Sequence, residues 1–185
     1  VMLELGLPLH VFDRALLKEG RIVVRRAAAN ESITALDGKK YELNPDMLVI
    51  ADAEKPVAIA GVMGGEYSGV LDSTKDVVIE AAFFNKTSVR MTSAKLNLSS
   101  EASHRYERGA DIGMVEKASA RAAALILELA GGELVSDLVS VAEPQPAQPR
   151  ILCRYARIRS LLGMDVSDLE ISTIFSKLGM EVEPV

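Results

Sequence analysis

Two carboxylates, a histidine and a glycine-rich turn are the groups here whose types and spacing could do chemistry. Glu80 follows the β-branched run Val77-Val78-Ile79 and precedes Ala81, Ala82, Phe83 and Phe84. A carboxylate among apolar neighbours is costly to bury without partners. Three roles stay open for it: a salt-bridged strand-end group, a general base, or an acceptor for a substrate hydroxyl. His10 follows Pro8 in a segment that reads as a loop. It is either structural or, as a group that titrates near neutrality, a base or hydrogen-bond donor. Gly61-Val62-Met63-Gly64-Gly65 is either a plain tight turn or a place where backbone approaches a ligand closely. It lacks the Gly-Lys-Ser/Thr of a phosphate loop and the full dinucleotide fingerprint, so a dinucleotide-binding oxidoreductase is set aside. Ser99-Ser100-Glu101-Ala102 is a polar turn whose simple role is helix capping. Glu101 and His104 read as structural, paired with Arg105 or Arg108. No serine or cysteine has the histidine–carboxylate setting of a covalent nucleophile. Cys153 is alone, and His10 and His104 fit no zinc spacing, so no metal site is expected.

These groups need elements to hold them. Val1–Leu5 reads as a strand ended by Pro8, and Asp13–Leu17 as a helical turn. Arg21–Arg26 is a strand with a basic edge. Ser32–Leu36 and Tyr41–Leu43 flank Asp37-Gly38, a hairpin signal. Met47–Ala51 and Pro56–Ala60 form a second pair of strands. Val77–Ile79 is expected as a buried strand. Asn85 caps a helix to about Leu96, with Val89 and Leu96 on one face and Lys86, Arg90 and Lys95 exposed. Asp111 opens a long helix to about Ala130, with Val115, Ala118, Ala122, Leu125, Ile126 and Leu129 as its buried stripe. Leu134–Val141 reads as a strand. The stretch from Glu143 to Pro149, EPQPAQP, is a stiff linker. Beyond it come a strand (Ile151–Tyr155), a helix (Ala156–Leu162), a helix capped by Ser167 and running to Leu178, and a strand at Met180–Glu183.

The 185 residues suffice for one sizeable domain and part of another. With 49% apolar and 25% charged residues the chain has the composition of a globular protein. No apolar run is long enough to span a bilayer, so no membrane partner is expected. A net charge of −5 argues against a stand-alone nucleic-acid binder. Val1 is not an initiator methionine, and the chain is expected to be a fragment of a longer protein.

Four motifs occur in one order: Leu5-Gly6-Leu7-Pro8-Leu9-His10-Val11-Phe12-Asp13, Ala60-Gly61-Val62-Met63-Gly64-Gly65, the strand ending in Glu80-Ala81-Ala82-Phe83-Phe84, and Ser100-Glu101-Ala102-Ser103-His104-Arg105-Tyr106-Glu107-Arg108-Gly109. Together they resemble the B3/B4 region of the bacterial phenylalanyl-tRNA synthetase beta subunit, and the tail resembles the start of its B5 domain. The resemblance implies an α+β fold: a β-rich B3/B4 editing domain with packed helices over residues 1–142, a proline-rich linker over 143–149 and a partial, winged-helix-like B5 segment over 150–185. It implies post-transfer editing, the hydrolysis of mischarged tyrosyl-tRNA(Phe), within an enzyme that attaches phenylalanine to tRNA(Phe). Glu80 would recognise the para-hydroxyl of tyrosine. Gly61 and Gly64 would line the pocket, with Ser100 and Ala102 as further substrate-binding residues. His10 would be the catalytic group. Where this chain has Ser100, the family commonly has threonine; the Thr-Asn pair that the family carries just upstream of its Val-Met-Leu-Glu stretch would fall before Val1. Arg21, Arg25, Arg26, Lys86 and Arg90 are the expected tRNA contacts. No cofactor is expected in this segment; ATP and magnesium would serve the whole synthetase elsewhere. The implied partners are tRNA(Phe) and the alpha subunit, in a cytoplasmic heterotetramer of two alpha and two beta subunits. The rival expectation is a non-catalytic scaffold module of the same synthetase.

Overall fold

A computed structural model describes residues 1–142 and 149–183. The chain divides into two compact units, Val1–Asp137 and Leu138–Val185. The first opens with a short helix, α1 (Met2–Leu5), where a strand is expected. Met, Leu and Glu are straight-chain helix formers, and Gly6, at φ 73°, provides the left-handed cap that ends the turn. Pro8 therefore leads into a strand rather than ending one, and His10 sits within β1 (Leu9–Asp13), not in a loop. Asp13 closes β1, caps a 3-10 turn (Arg14–Leu16) by accepting from Ala15 N at 2.9 Å, and accepts from the Thr74 hydroxyl at 2.6 Å.

The middle of the unit is antiparallel. β2 (Val23–Arg26) is followed by the hairpin of β3 (Ser32–Thr34) and β4 (Lys40–Glu42) around Asp37-Gly38. Next come β5 (Leu48–Ala51), β6 (Pro56–Ile59) and the two-residue β7 (Met63–Gly64). One sheet runs β2-β5-β6-β7. β6 is buried along its whole length and β5 nearly so, which accounts for their continuous apolar sequences. Val49, Ile50, Val57 and Ile59 join Leu7, Phe12 and Val62 in the core.

β8 (Val77–Ala81) pairs with β1 to form a separate two-stranded ribbon. The strand expected to be buried is only half-buried, and Val77 is exposed. With β1 as its one ladder neighbour among the described residues, β8 packs chiefly against helix α4, described below. Asn85 caps α2 (Lys86–Leu96), its side chain accepting from Thr87 N and Ser88 N. Val89 is buried on this helix and Leu96 half-buried, while Lys86, Arg90 and Lys95 face solvent. Ser100 caps α3 (Glu101–Tyr106) in a capping box with Ser103. Asp111 caps a 3-10 turn (Ile112–Met114) that runs into α4 (Val115–Ala130). Ala118 and Ala122 are the buried residues of α4, and Leu129 lies outside the stripe at 81% exposed. Leu134–Val141 forms no strand. No edge among the described residues pairs with it, and strand-forming composition without a ladder partner does not make a strand.

In the second unit, α5 (Tyr155–Leu162) ends at left-handed Gly163. α6 (Asp168–Lys177) carries a Ser167–Glu170 capping box and buries Ile171. The strands expected at Ile151–Tyr155 and Met180–Glu183 are not formed, and Tyr155 is already helical. A winged-helix sheet is therefore missing among the described residues, because neither apolar run has a partner strand. Most of the expected linker, residues 143–148, lies outside the described residues.

Candidate functional site

The β1–β8 ribbon sets the site. Its register places His10 directly opposite Glu80, with Leu9 opposite Ala81 and Val11 opposite Ile79. Residues opposite one another in an antiparallel pair project to the same face, so two polar side chains far apart in sequence share one surface. That surface meets the turn between β6 and β7. Gly61, at φ 70°, makes this turn; a Cβ there would lie 2.9 Å from both Phe84 Cδ2 and Val89 Cγ2. Gly64 approaches still more closely. A Cβ there would lie 2.3 Å from His10 Cε1 and 2.8 Å from His10 Nε2. The imidazole thus rests directly on the glycine backbone, and its ring meets Phe12 edge-to-face at 4.5 Å between centroids.

A small open cleft of about 70 Å³ lies between ribbon and turn. His10, Glu80, Gly61, Gly64 and Ala102 all line it. Ser100 stands behind it. Its hydroxyl donates to the Val62 carbonyl and accepts from Ser103 N at 3.0 Å, tying the glycine turn to the start of α3. The capping role read from the sequence is realised, and the same hydroxyl also braces the pocket wall.

The electrostatics are unusual for such a small site. His10 Nε2 and Glu80 Oε2 are buried side-chain atoms without a hydrogen-bond partner. Burial raises Glu80 to about 7, well above the ordinary carboxylate value, and lowers the His10 imidazole. Glu80 as a residue keeps some solvent exposure while its Oε2 is shielded, so the penalty falls on one oxygen of the carboxylate. Both groups are held toward their neutral forms near neutral pH. Buried polar atoms normally have partners; these two on one cleft are free to take a polar partner.

Tyr106 was not singled out in the sequence. It lines the cleft, with its ring edge-to-face against Phe84 at 5.1 Å. Ala102 and Tyr106 are four residues apart on α3 and so share a face; that spacing is the signal that could have found it. Glu101 pairs with Arg105 at 2.7 Å, and Arg108 donates to the His104 carbonyl. A second cleft, at Lys18, Asp52 and Tyr67, is a satisfied structural hub. Asp52 there accepts from the backbone N–H groups of Lys18, Glu54 and Lys55 and from the Tyr67 hydroxyl.

The expected tRNA contacts lie outside the cleft. Arg25 makes a bidentate pair with Glu31 at 2.7 and 2.8 Å, Arg21 lies 3.6 Å from Glu19, and Arg26 donates to the Asp46 carbonyl. Lys86 and Arg90, one turn apart on α2, are exposed and make no ion pair among the described residues. No cluster of three or more potential metal ligands occurs among the described residues.

Ribbon, glycine turn and cleft define an α+β domain that sets His10 and Glu80 side by side on one cleft. The chain belongs to the B3/4 domain family, whose sequence profile matches residues 1–131. It is also similar along its whole length to beta subunits of phenylalanine–tRNA ligase. The subunit from Syntrophotalea carbinolica is 44% identical over 185 residues, 100% of this chain and 23% of that protein. The one from Geobacter metallireducens is 45% identical over 100% of this chain and 23% of that protein. The one from Symbiobacterium thermophilum is 48% identical over 98% of this chain and 20% of that protein. The chain spans less than a quarter of the length of these relatives.

Proposed function

We propose that this chain is the editing module of a phenylalanine–tRNA ligase beta subunit and that it hydrolyses tyrosyl-tRNA(Phe). The observation that carries the reading is the pair of orphaned buried atoms, His10 Nε2 and Glu80 Oε2, facing one cleft across the ribbon. The similarity of the whole of this chain to part of the ligase beta subunits supports the same reading. A pocket for phenylalanine in a ligation site discriminates weakly against one added hydroxyl, by on the order of a hundredfold. A second cleft that gains from that hydroxyl can remove the error. Glu80 supplies the gain by accepting the phenolic O–H. With phenylalanine in the cleft, its buried oxygen stays unpaired, at a cost of roughly 1–3 kcal/mol.

Hydrolysis follows from water attack on the ester carbonyl. A C–O bond forms to water, the bond to the terminal ribose oxygen breaks, and that oxygen leaves with a proton. His10, kept neutral by burial, offers a ring nitrogen to orient the water or accept its proton. The neighbouring ribose hydroxyl of the substrate carries the proton to the leaving oxygen. Gly64 lets the His10 ring, and Gly61 lets Phe84 and Val89, lie directly against the turn that lines the cleft, Ala102 keeps the wall small, and Ser100 holds the turn. ATP, magnesium and the ligation step belong to the rest of the enzyme. There the partners are the alpha subunit, in a cytoplasmic heterotetramer, and tRNA(Phe). In this reading residues 1–142 form the B3/B4 domain, 143–149 a linker and 150–185 the beginning of B5. Lys86 and Arg90 are the cations best placed to meet the tRNA backbone, with Arg21 secondary.

The test is deacylation of tyrosyl-tRNA(Phe) by the complete enzyme, with phenylalanyl-tRNA(Phe) as control. Selective clearance of the tyrosyl ester is expected. Equal rates on both esters, or none on either, overturn the reading.

A further inference from the structure

We infer that Tyr106 is a positioning residue that fixes the His10–Glu80 pair by clamping the open end of the ribbon. The inference rests on the editing reading for its kinetic part only. The register His10 opposite Glu80 and Leu9 opposite Ala81 brings Pro8 and Ala82 next to each other where the ladder stops. Proline carries no N–H, so Pro8 has no backbone donor to contribute to pairing there. The Tyr106 hydroxyl occupies this place. It is 3.1 Å from the Pro8 carbonyl and 3.0 Å from the Ala82 carbonyl, one O–H shared between the two strands. Each of these carbonyls lies two residues from a polar group of the cleft, Pro8 from His10 and Ala82 from Glu80.

The clamp is itself rigid. Tyr106 is buried at 3% exposure, its ring abuts Phe84, and its Cδ2 lies 3.3 Å from where a Gly61 Cβ would stand. One side chain therefore references three parts of the site to α3: strand β1, the end of strand β8 and the glycine turn. A two-stranded ribbon is weak without outside support; α4 packs on β8, and the Tyr106 hydroxyl is the contact that ties both strands together at their open end. The hydroxyl is neutral and stays so, because burial and the nearby Glu80 carboxyl raise it above the usual tyrosine value.

Tyr106→Phe keeps the ring and removes only the hydroxyl. Two measurements on the complete protein decide the matter. The first is amide hydrogen exchange in the Leu9–Asp13 and Val77–Ala81 peptides, which needs no activity at all. About tenfold faster exchange confined to the ribbon, with little change in Tm, is expected. Unchanged ribbon exchange overturns the inference, and so does a collapse of Tm with exchange rising everywhere, which makes Tyr106 a general folding residue. The second is tyrosyl-ester hydrolysis. A kcat lowered about tenfold at constant KM is expected. In a Glu80→Ala, His10→Ala background the same substitution should have no further effect, since there is nothing left to position. A variant with parental kcat overturns the positioning role. If the parental protein hydrolyses neither ester, the editing reading fails by itself and the exchange measurement still decides on the clamp.

Discussion

His10 and Glu80 face each other across the β1–β8 ribbon, and each keeps one buried side-chain atom without a partner. The pairing joins a residue near the start of the chain to one 70 positions later. It puts a nitrogen and a carboxyl, both pushed by burial toward neutrality, on one side of a cleft roofed by glycine.

The Glu80 carboxyl makes folding stability pH-dependent. Below about pH 4.5 it is protonated in folded and unfolded chains alike and contributes no difference. Between 4.5 and about 7 the unfolded chain releases a proton that the folded one keeps, so stability falls as pH rises. The decline amounts to roughly 3 kcal/mol and levels off above pH 7. Glu80→Gln removes it. Thermal melts should coincide for parent and variant at pH 4, and the variant should melt several degrees higher at pH 8.

The same titration bears on selectivity. An ionised carboxylate accepts a phenolic hydrogen bond more strongly than a neutral carboxyl does. Preference for the tyrosyl over the phenylalanyl ester is expected to rise as pH passes about 7 and then level off. A pH series of single-turnover rates on both esters measures it; a preference that falls over this range contradicts the assignment of Glu80.

Gly64 has no room for any side chain, because a Cβ meets the His10 ring at 2.3 Å. Even alanine at this position displaces the histidine first. The Gly64 backbone lies outside the left-handed region, so the cost falls on the imidazole. Gly64→Ala is expected to slow ester hydrolysis by on the order of a hundredfold, as misplacing a catalytic group by about 1 Å does, with little effect on Tm. Gly65→Ala differs, since its Cβ meets the Val57 carbonyl at 2.6 Å. That contact is with backbone, and a lowered Tm is the expected result. Melting curves and deacylation rates for the two variants check the contrast.

Asp52 is the structural counterpart of Glu80. Burial raises its carboxyl, but the Tyr67 hydroxyl and the N–H groups of Lys55, Glu54 and Lys18 outweigh that and hold it at about 2. Its contribution is full above the ordinary value of 3.8 and is lost as pH falls through 2. It amounts to about 2 kcal/mol. Asp52→Asn is expected to lower Tm at pH 7 and to converge with the parent as pH approaches 2, as acid-range calorimetry would record.

What the sequence made legible was local. Asn85, Ser100, Asp111 and Ser167 were readable as caps because a cap bonds residues two or three positions away. The Asp37-Gly38 hairpin and the β5–β6 pair were readable for the same reason. Long-range pairing was not. Nothing near His10 indicates that it opposes Glu80, and the apolar run Leu134–Val141 reads as a strand whether or not an edge exists to receive it. Val1–Leu5 misled in the other direction, since a left-handed glycine cap at Gly6 outweighed an apolar pattern that suits either state. The glycine turn, Glu80 and His10 are legible through motif resemblance; the Tyr106 hydroxyl bridge, which joins three distant segments, exists only in the folded chain.

The most direct test of the central claim is the ratio of single-turnover deacylation rates, tyrosyl-tRNA(Phe) over phenylalanyl-tRNA(Phe), for the complete enzyme and its Glu80→Ala variant. Recognition of the phenolic hydroxyl by a buried carboxyl predicts a parental ratio of roughly 10 to 100, falling to near one when the carboxyl is removed. A ratio that survives the loss of Glu80 would contradict the account and assign selectivity to another part of the cleft.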